Sequence, residues 1–163
     1  MRIVSANQLP SGKVEEFFIE QWGSKEMVLS TGIFDCTTLD GFAVVNASNQ
    51  ILAYCTYVLD KKECELISID SLEEGKGIGS SLLRRVEQVA KESRCKKIKL
   101  ITTNDNLHAL GFYQKRGYYL TEVYPGAVRI ARERKPEIPL IRENGIPVHD
   151  EILLTKRLDE SFE

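Results

Sequence analysis

Glycine recurs at alternate positions in Glu74-Gly75-Lys76-Gly77-Ile78-Gly79-Ser80-Ser81, the stretch of this chain whose chemistry is easiest to name. Glycines there let the backbone turn tightly and leave its N–H groups uncovered by side chains. A helical pattern begins at Ile78, and the first turn of any helix carries N–H groups without a partner inside it. The helix dipole adds partial positive charge at the same end. Such a junction is a receptor for phosphate-type anions and points to a phosphorylated small molecule or cofactor. A plain structural turn is the competing reading, because glycine also ends strands for steric reasons alone.

Two common phosphate loops fail on spacing. A P-loop needs Gly-x-x-x-x-Gly-Lys-Ser/Thr, whereas Lys76 lies between glycines and no Gly-Lys-Ser/Thr follows. In the dinucleotide pattern Gly-x-Gly-x-x-Gly, Ser80 and Leu82 fall where the third glycine belongs. Hydrolase chemistry finds no support either, since no Gly-x-Ser-x-Gly turn is present and His108 and His149 stand apart. Neighbours on a strand point to opposite faces, so His149-Asp150-Glu151 does not read as a metal cluster. Cys36, Cys55, Cys64 and Cys95 contain no C-x-x-C pair, which argues against a zinc or dithiol centre. Cys55 and Cys64 lie in apolar runs and read as small buried hydrophobes. The expectation is a site without metal.

The elements that must position the loop follow from periodicity. A strand runs from Cys64 to Leu72, and a helix from Ile78 to Glu92 with Ile78, Leu82, Leu83, Val86, Val89 and Ala90 on one stripe. Lys97 to Thr102 is the next strand, so the unit is a right-handed parallel crossover. Upstream, Val14, Phe17 and Phe18 give helix spacing between Ser11 and Trp22, with Ser11 as N-cap and Gly23 as stop. Strands follow at Glu26 to Thr31, Gly41 to Asn46 and Ile51 to Val58, the last two joined by the polar turn Ala47-Ser48-Asn49-Gln50. Downstream come a short helix from Asn106 to Lys115, a strand from Tyr118 to Tyr124, a helical turn or two at Ala127 to Glu133, and a strand from Asp150 to Lys156.

With 163 residues and 42% hydrophobic content, the chain reads as a single domain over 1–163 with its own core. A net charge of −2, from 22 basic and 24 acidic residues, gives no electrostatic reason to bind nucleic acid. No segment has the length and apolarity to span a bilayer, and Met1 to Pro10 lacks a leader pattern, so a soluble cytoplasmic protein is expected.

The loop Glu74-Gly75-Lys76-Gly77-Ile78-Gly79 and the later Asn106-x-x-Ala109-x-x-x-Tyr113-x-x-x-Gly117-Tyr118 together resemble the two signature motifs of the GNAT superfamily of N-acetyltransferases. The resemblance is close over Cys64 to Tyr118 and departs at Glu74, where the family usually has Gln or Arg. It implies an α/β fold with a mixed, mostly antiparallel sheet of six to seven strands, about four helices and a splayed parallel pair. It also implies acetyl-CoA as co-substrate, with the diphosphate on the N–H groups of Gly75, Lys76, Gly77, Ile78, Gly79 and Ser80. Ile67 and Ile69 would pair through their main chain with the pantetheine arm, and Asn106 would touch that arm or hold the loop before its helix. Lys76 would restore positive charge that Glu74 removes.

Tyr113 matches the family's general acid, and a phenol suits protonation of a departing thiolate because both have high pKa values. A buried aromatic with a satisfied hydroxyl is the alternative. For the base, Glu63 and Glu65 share a strand face by alternation, with Ile67 and Ile69 on the same face. Glu65 is the nearer to the expected acetyl position, and Glu63 falls where some family members place their base. An ordinary exposed strand face is the competing reading for both. The proline-rich stretch 125–147 is expected to wall the amine pocket. The resulting expectation is acetyl transfer to a primary amine of a small-molecule or peptide acceptor by direct attack. A non-catalytic acyl-CoA sensor, or a nucleotide- or phosphosugar-binding protein, are the alternatives. An open strand edge in such a fold offers a place for a homodimer.

Overall fold

The computed structural model describes residues 1–73 and 75–158. Its elements are β1 (Arg2–Ser5), α1 (Ser11–Trp22), β2 (Glu26–Leu29), β3 (Gly32–Asp35), β4 (Asp40–Val45), β5 (Ile51–Asp60), β6 (Glu63–Ser71), α2 (Ile78–Glu92), β7 (Lys97–Thr103), α3 (Leu107–Gln114), β8 (Tyr119–Tyr124), α4 (Ala127–Arg134) and β9 (Glu151–Arg157). Seven strands form one sheet in the order β1-β4-β5-β6-β7-β9-β8, and β2 with β3 makes a separate hairpin. The pairings within the large sheet are antiparallel except for β6 with β7. This is the mixed α/β architecture with a parallel pair that the motifs imply.

Both faces of the sheet are covered, for a reason visible in the helices. The stripe on α2 buries Ile78, Leu82, Leu83, Val86 and Ala90. It packs on one face, against Cys55, Cys64, Leu66, Ile98, Leu100 and Leu154. On the opposite face α1 buries Val14, Phe17 and Phe18 against Ala43, Val45, Tyr54 and Ile67. Each valine, leucine, isoleucine or phenylalanine among them contributes about 1.5–3 kcal/mol relative to exposure. All four cysteines are buried and unpaired, and burial raises each thiol pKa, to about 12 for Cys55 and Cys64.

The start of α1 differs from the expectation. Pro10 holds the cap position with φ −59° and ψ 134°, and Ser11 is already helical. Proline's fixed φ and its carbonyl, which accepts from Lys13 and Val14 N–H, do the work expected of a serine hydroxyl. Gly23, at φ 74°, ends the helix as expected. The strand expected over Glu26 to Thr31 stops at Leu29 and folds back as β3. Both β1 and β3 are four-residue strands too short to show alternation. Among the described residues, no helix is long and apolar enough to cross a membrane.

Candidate active site

Strands β6 and β7 are paired only from Glu63↔Lys97 to Leu66↔Leu100. Beyond that point they part, and a cavity of about 960 Å³ occupies the notch, lined from Leu66 to Ser71, from Leu100 to Thr102, by the glycine loop and by α3. A bulge in β6 shapes the wall. Leu66 faces Tyr57 and Ser68 faces Thr56, so Ile67 is an extra residue in the ladder. The bulge corrects the alternation argument. Ile67 packs on the α1 face, whereas Ile69 packs on the α2 face, so the two isoleucines do not share a face with each other.

One end of the cavity suits an anion. Gly75 and Gly77 have φ of 77° and 73°, and a Cβ built on either meets nothing within 4 Å. The glycines are therefore needed for backbone conformation, and the space beside them is open. Gly79 and Ser80 belong to the first turn of α2 and line the cavity together with Gly75, Gly77 and Ile78. Ser80 Oγ accepts from Arg116 Nε at 3.1 Å and Nη2 at 2.7 Å. Arg116 also stacks 3.7 Å from the centre of the Phe112 ring and donates to Phe112 O at 2.8 Å. Open N–H groups, a helix N-terminus and a fixed guanidinium fit a diphosphate.

Lys76, expected to add charge to the loop, instead forms an ion pair with Glu73 at 3.1 Å. Glu74 lies outside the described residues. Arg116 is the cation that the sequence reading missed; its signal was the Lys115-Arg116-Gly117 run. Asn106 caps α3 by accepting from Ala109 N at 3.1 Å, and it lines the cavity as well.

Tyr113 lines the cavity from α3 and is 5% exposed. Phe112 and Tyr118 hold its ring edge-on, with centroids 5.2 and 5.6 Å away. Burial raises its pKa well above the ordinary phenol value, so it is a neutral proton donor at physiological pH.

The carboxylates are arranged differently from the expectation. Glu63 is clamped by Lys97 and Lys99, each at 3.1 Å, and these partners, Lys99 foremost, lower its pKa. Glu65 accepts from Thr31 Oγ1 at 2.6 Å, and burial raises its pKa. Neither lines the cavity. Asp70 does, near the end of β6, in register with Tyr54 of β5. Burial pushes its pKa up to about 6, against the smaller pull of the Trp22 indole. The indole comes close without making a hydrogen bond of normal geometry, and Trp22 Nε1 and Asp70 Oδ2 are both buried without a partner.

The stretch 125–147 supplies none of the described residues lining the cavity, which corrects the expectation that it walls the amine pocket. Trp22 and Met27 stand there instead, and α4 props them from behind. Lys135, after α4, donates to Glu26 O at 2.8 Å and sits 5.9 Å from the Trp22 ring centre. Arg134 pairs with the Glu26 carboxylate at 2.8 Å. The wall itself comes from the short α1–β2 corner.

Comparison with known proteins points the same way. The family model described as "Acetyltransferase (GNAT) family" matches residues 12–118. Uncharacterized protein YdhI of Bacillus subtilis (strain 168) is 52% identical over 159 residues, covering 98% of this chain and 99% of that protein. A GNAT family acetyltransferase from Elizabethkingia anophelis, solved with acetyl-CoA bound, is 25% identical with a TM-score of 0.63, over 88% of this chain and 83% of that one. The fold is also that of a Bacillus subtilis acetyltransferase solved in complex with CoA, with a TM-score of 0.68 at 17% identity over 96% and 98% of the two chains.

Proposed function

The chain belongs to the GNAT family of acetyltransferases, and from that premise we propose that it transfers the acetyl group of acetyl-CoA to a primary amine of a small-molecule or peptide acceptor by direct attack. The observation that carries this reading is one cavity lined at once by the glycine loop, the parting strands and Tyr113. Residues 1–163 would act as one domain.

In this reading the N–H groups from Gly75 to Ser80 hold the diphosphate, with Arg116 supplying the cation. The backbone of β6 beyond Leu66, at Ile67 and Ile69, loses its β7 neighbour and would pair with the pantetheine amides instead. Asn106 fixes the start of α3 and so the position of Tyr113. Acetyl-CoA, when bound, supplies a thioester carbonyl in the notch. Tyr113 would give its proton to the departing sulfur. Its high pKa keeps the phenol protonated until the thiolate, itself a strong base, needs the proton. Rate would come chiefly from alignment and from hydrogen bonds to the carbonyl oxygen.

The experiment is thiol release from acetyl-CoA over a panel of amines, repeated with Tyr113→Phe. The variant should bind acetyl-CoA within about twofold of wild type and lose about 100-fold or more in kcat, the scale of one general acid. An unchanged kcat would remove Tyr113 from the mechanism.

A further inference from the structure

The notch in the sheet joins two faces that the rest of the molecule keeps apart. Tyr113 belongs to the α2-side core, and Asp70 lies on the α1 side with Trp22 and Tyr54, yet both line the same cavity. The donor's binding groups, from Gly75 to Ser80 with Arg116, are on the α2 side. That leaves the α1 side for the second substrate, and the half-cavity there is formed by Trp22, Met27, Ile67, Ser68 and Asp70.

Resting on the acetyltransferase reading, we propose that Asp70 receives and deprotonates the acceptor amine, and that the acceptor is a singly charged primary amine on an apolar stem. Asp70 Oδ2 and Trp22 Nε1 are buried polar atoms without partners, side by side on the wall. Leaving both unmade is costly unless a ligand or a shift of the indole relieves it. An ammonium group satisfies the carboxylate by charge and hydrogen bond together.

The apolar stem follows from the neighbours. Trp22, Met27 and Ile67 offer ring and aliphatic surface. Of the strong cations near the cavity, Arg116 is committed to Ser80 and Phe112 at the donor end. Lys135 is turned to Glu26 O behind the indole, and Lys76 of the glycine loop is paired with Glu73 at 3.1 Å. An acceptor carrying phosphate or carboxylate would meet the charge of Asp70 with no cation to offset it.

The charged and titratable groups around Asp70 can be named from each element. Tyr54 faces it from β5, Tyr113 lies across the notch on α3, and Glu73 follows on its own chain segment. Lys135 stands behind Trp22, with Arg116 and His108 on the donor side. Burial dominates the rise of its pKa to about 6, so it is ionised at neutral pH and basic enough to accept a proton.

The step balances. The ammonium gives one proton to Asp70, which passes it to solvent. The free amine forms the N–C bond to the acetyl carbon as the C–S bond breaks, its electron pair leaving with sulfur. The second nitrogen proton replaces the one that Tyr113 gives to the thiolate. The products are the amide, CoA thiol and one released proton.

The test compares wild type, Asp70→Asn and Asp70→Glu with hexylamine, 2-phenylethylamine, spermidine and glucosamine 6-phosphate as acceptors, and acetyl-CoA affinity is measured by calorimetry. Hexylamine or 2-phenylethylamine should give the highest kcat/KM. Asp70→Asn should lower it about 100-fold and remove the acidic limb of its pH profile, with acetyl-CoA affinity unchanged and partial rescue by Asp70→Glu. The chain has one tryptophan, so fluorescence reads Trp22 directly. Without any substrate, it should titrate with a midpoint near 6 in wild type and be flat over that range in Asp70→Asn. Preference for glucosamine 6-phosphate or spermidine, or no turnover of either apolar amine while acetyl-CoA still binds, overturns the acceptor class. An Asp70→Asn enzyme with full kcat/KM, or fluorescence that titrates in both proteins, overturns the role of Asp70. Wild type that binds no acetyl-CoA sinks the underlying transferase reading instead.

Discussion

At neutral pH, Asp70 carries a charge in a place that favours its neutral form. Its folded-state pKa of about 6 lies above the ordinary aspartate value of 3.8, so the native state binds the proton more tightly than the unfolded chain. Stability therefore falls as pH rises through roughly 4 to 6, and the penalty is complete above that window. A rise of this size corresponds to about 3 kcal/mol at most, and solvent in the cavity trims it to about 1–2 kcal/mol. Asp70→Asn should raise Tm by about 2–8 °C at pH 8 and leave it unchanged at pH 4, measured by calorimetric scans. Equal gains at both pH values would mean the carboxylate's charge is not the cause. Tyr113 and the glycine loop were legible in the sequence because their spacing is local. Asp70 was not, since its environment is made by Trp22 from a distant helix and by a bulge that breaks strand alternation. The two glutamates looked suitable because alternation does place them on the face of Ile67, but they lie where β6 is still paired with β7, short of the notch, and Glu63 is clamped by lysines as well.

Helices and long strands announced themselves, and the junction between β6 and α2 shows why. The α2 stripe repeats over four turns, so its bounds of Ile78–Glu92 match the expected ones. Four-residue strands such as β1 and β3 offer no such repetition. At the junction, Gly77 is the N-cap of α2 in the left-handed region, with open space where a side chain would be. Gly77→Ala should cost about 1–2 kcal/mol in backbone strain alone, seen as a Tm lower by about 2–8 °C. Its methyl group would also intrude on the space proposed for the diphosphate and should weaken acetyl-CoA binding at least tenfold, by calorimetry. A variant that loses stability but keeps full affinity would move the diphosphate elsewhere.

Across the whole molecule, the stretch after β8 acts as a brace for the α1–β2 corner. Lys135 is 8% exposed, and burial lowers its pKa, yet it spends its ammonium on one main-chain carbonyl of β2. Lys135→Met keeps the bulk and leaves Glu26 O unpaired, which should cost about 1–3 kcal/mol in denaturant unfolding. KM for the amine should rise several-fold while acetyl-CoA affinity holds; a parallel loss of both would assign the brace to the whole cleft. Sequence patterns located this stretch but could not reveal that it supports the wall from behind, because that depends on contacts between segments far apart in the chain. The placement of the four cysteines has a different consequence. An enzyme of this family liberates a free thiol at every turnover, and that thiol can oxidise to a disulfide able to cap exposed cysteines. Here each sulfur is sealed in the core and kept protonated, so it is a poor nucleophile toward such disulfides. The catalyst is thereby shielded from its own by-product.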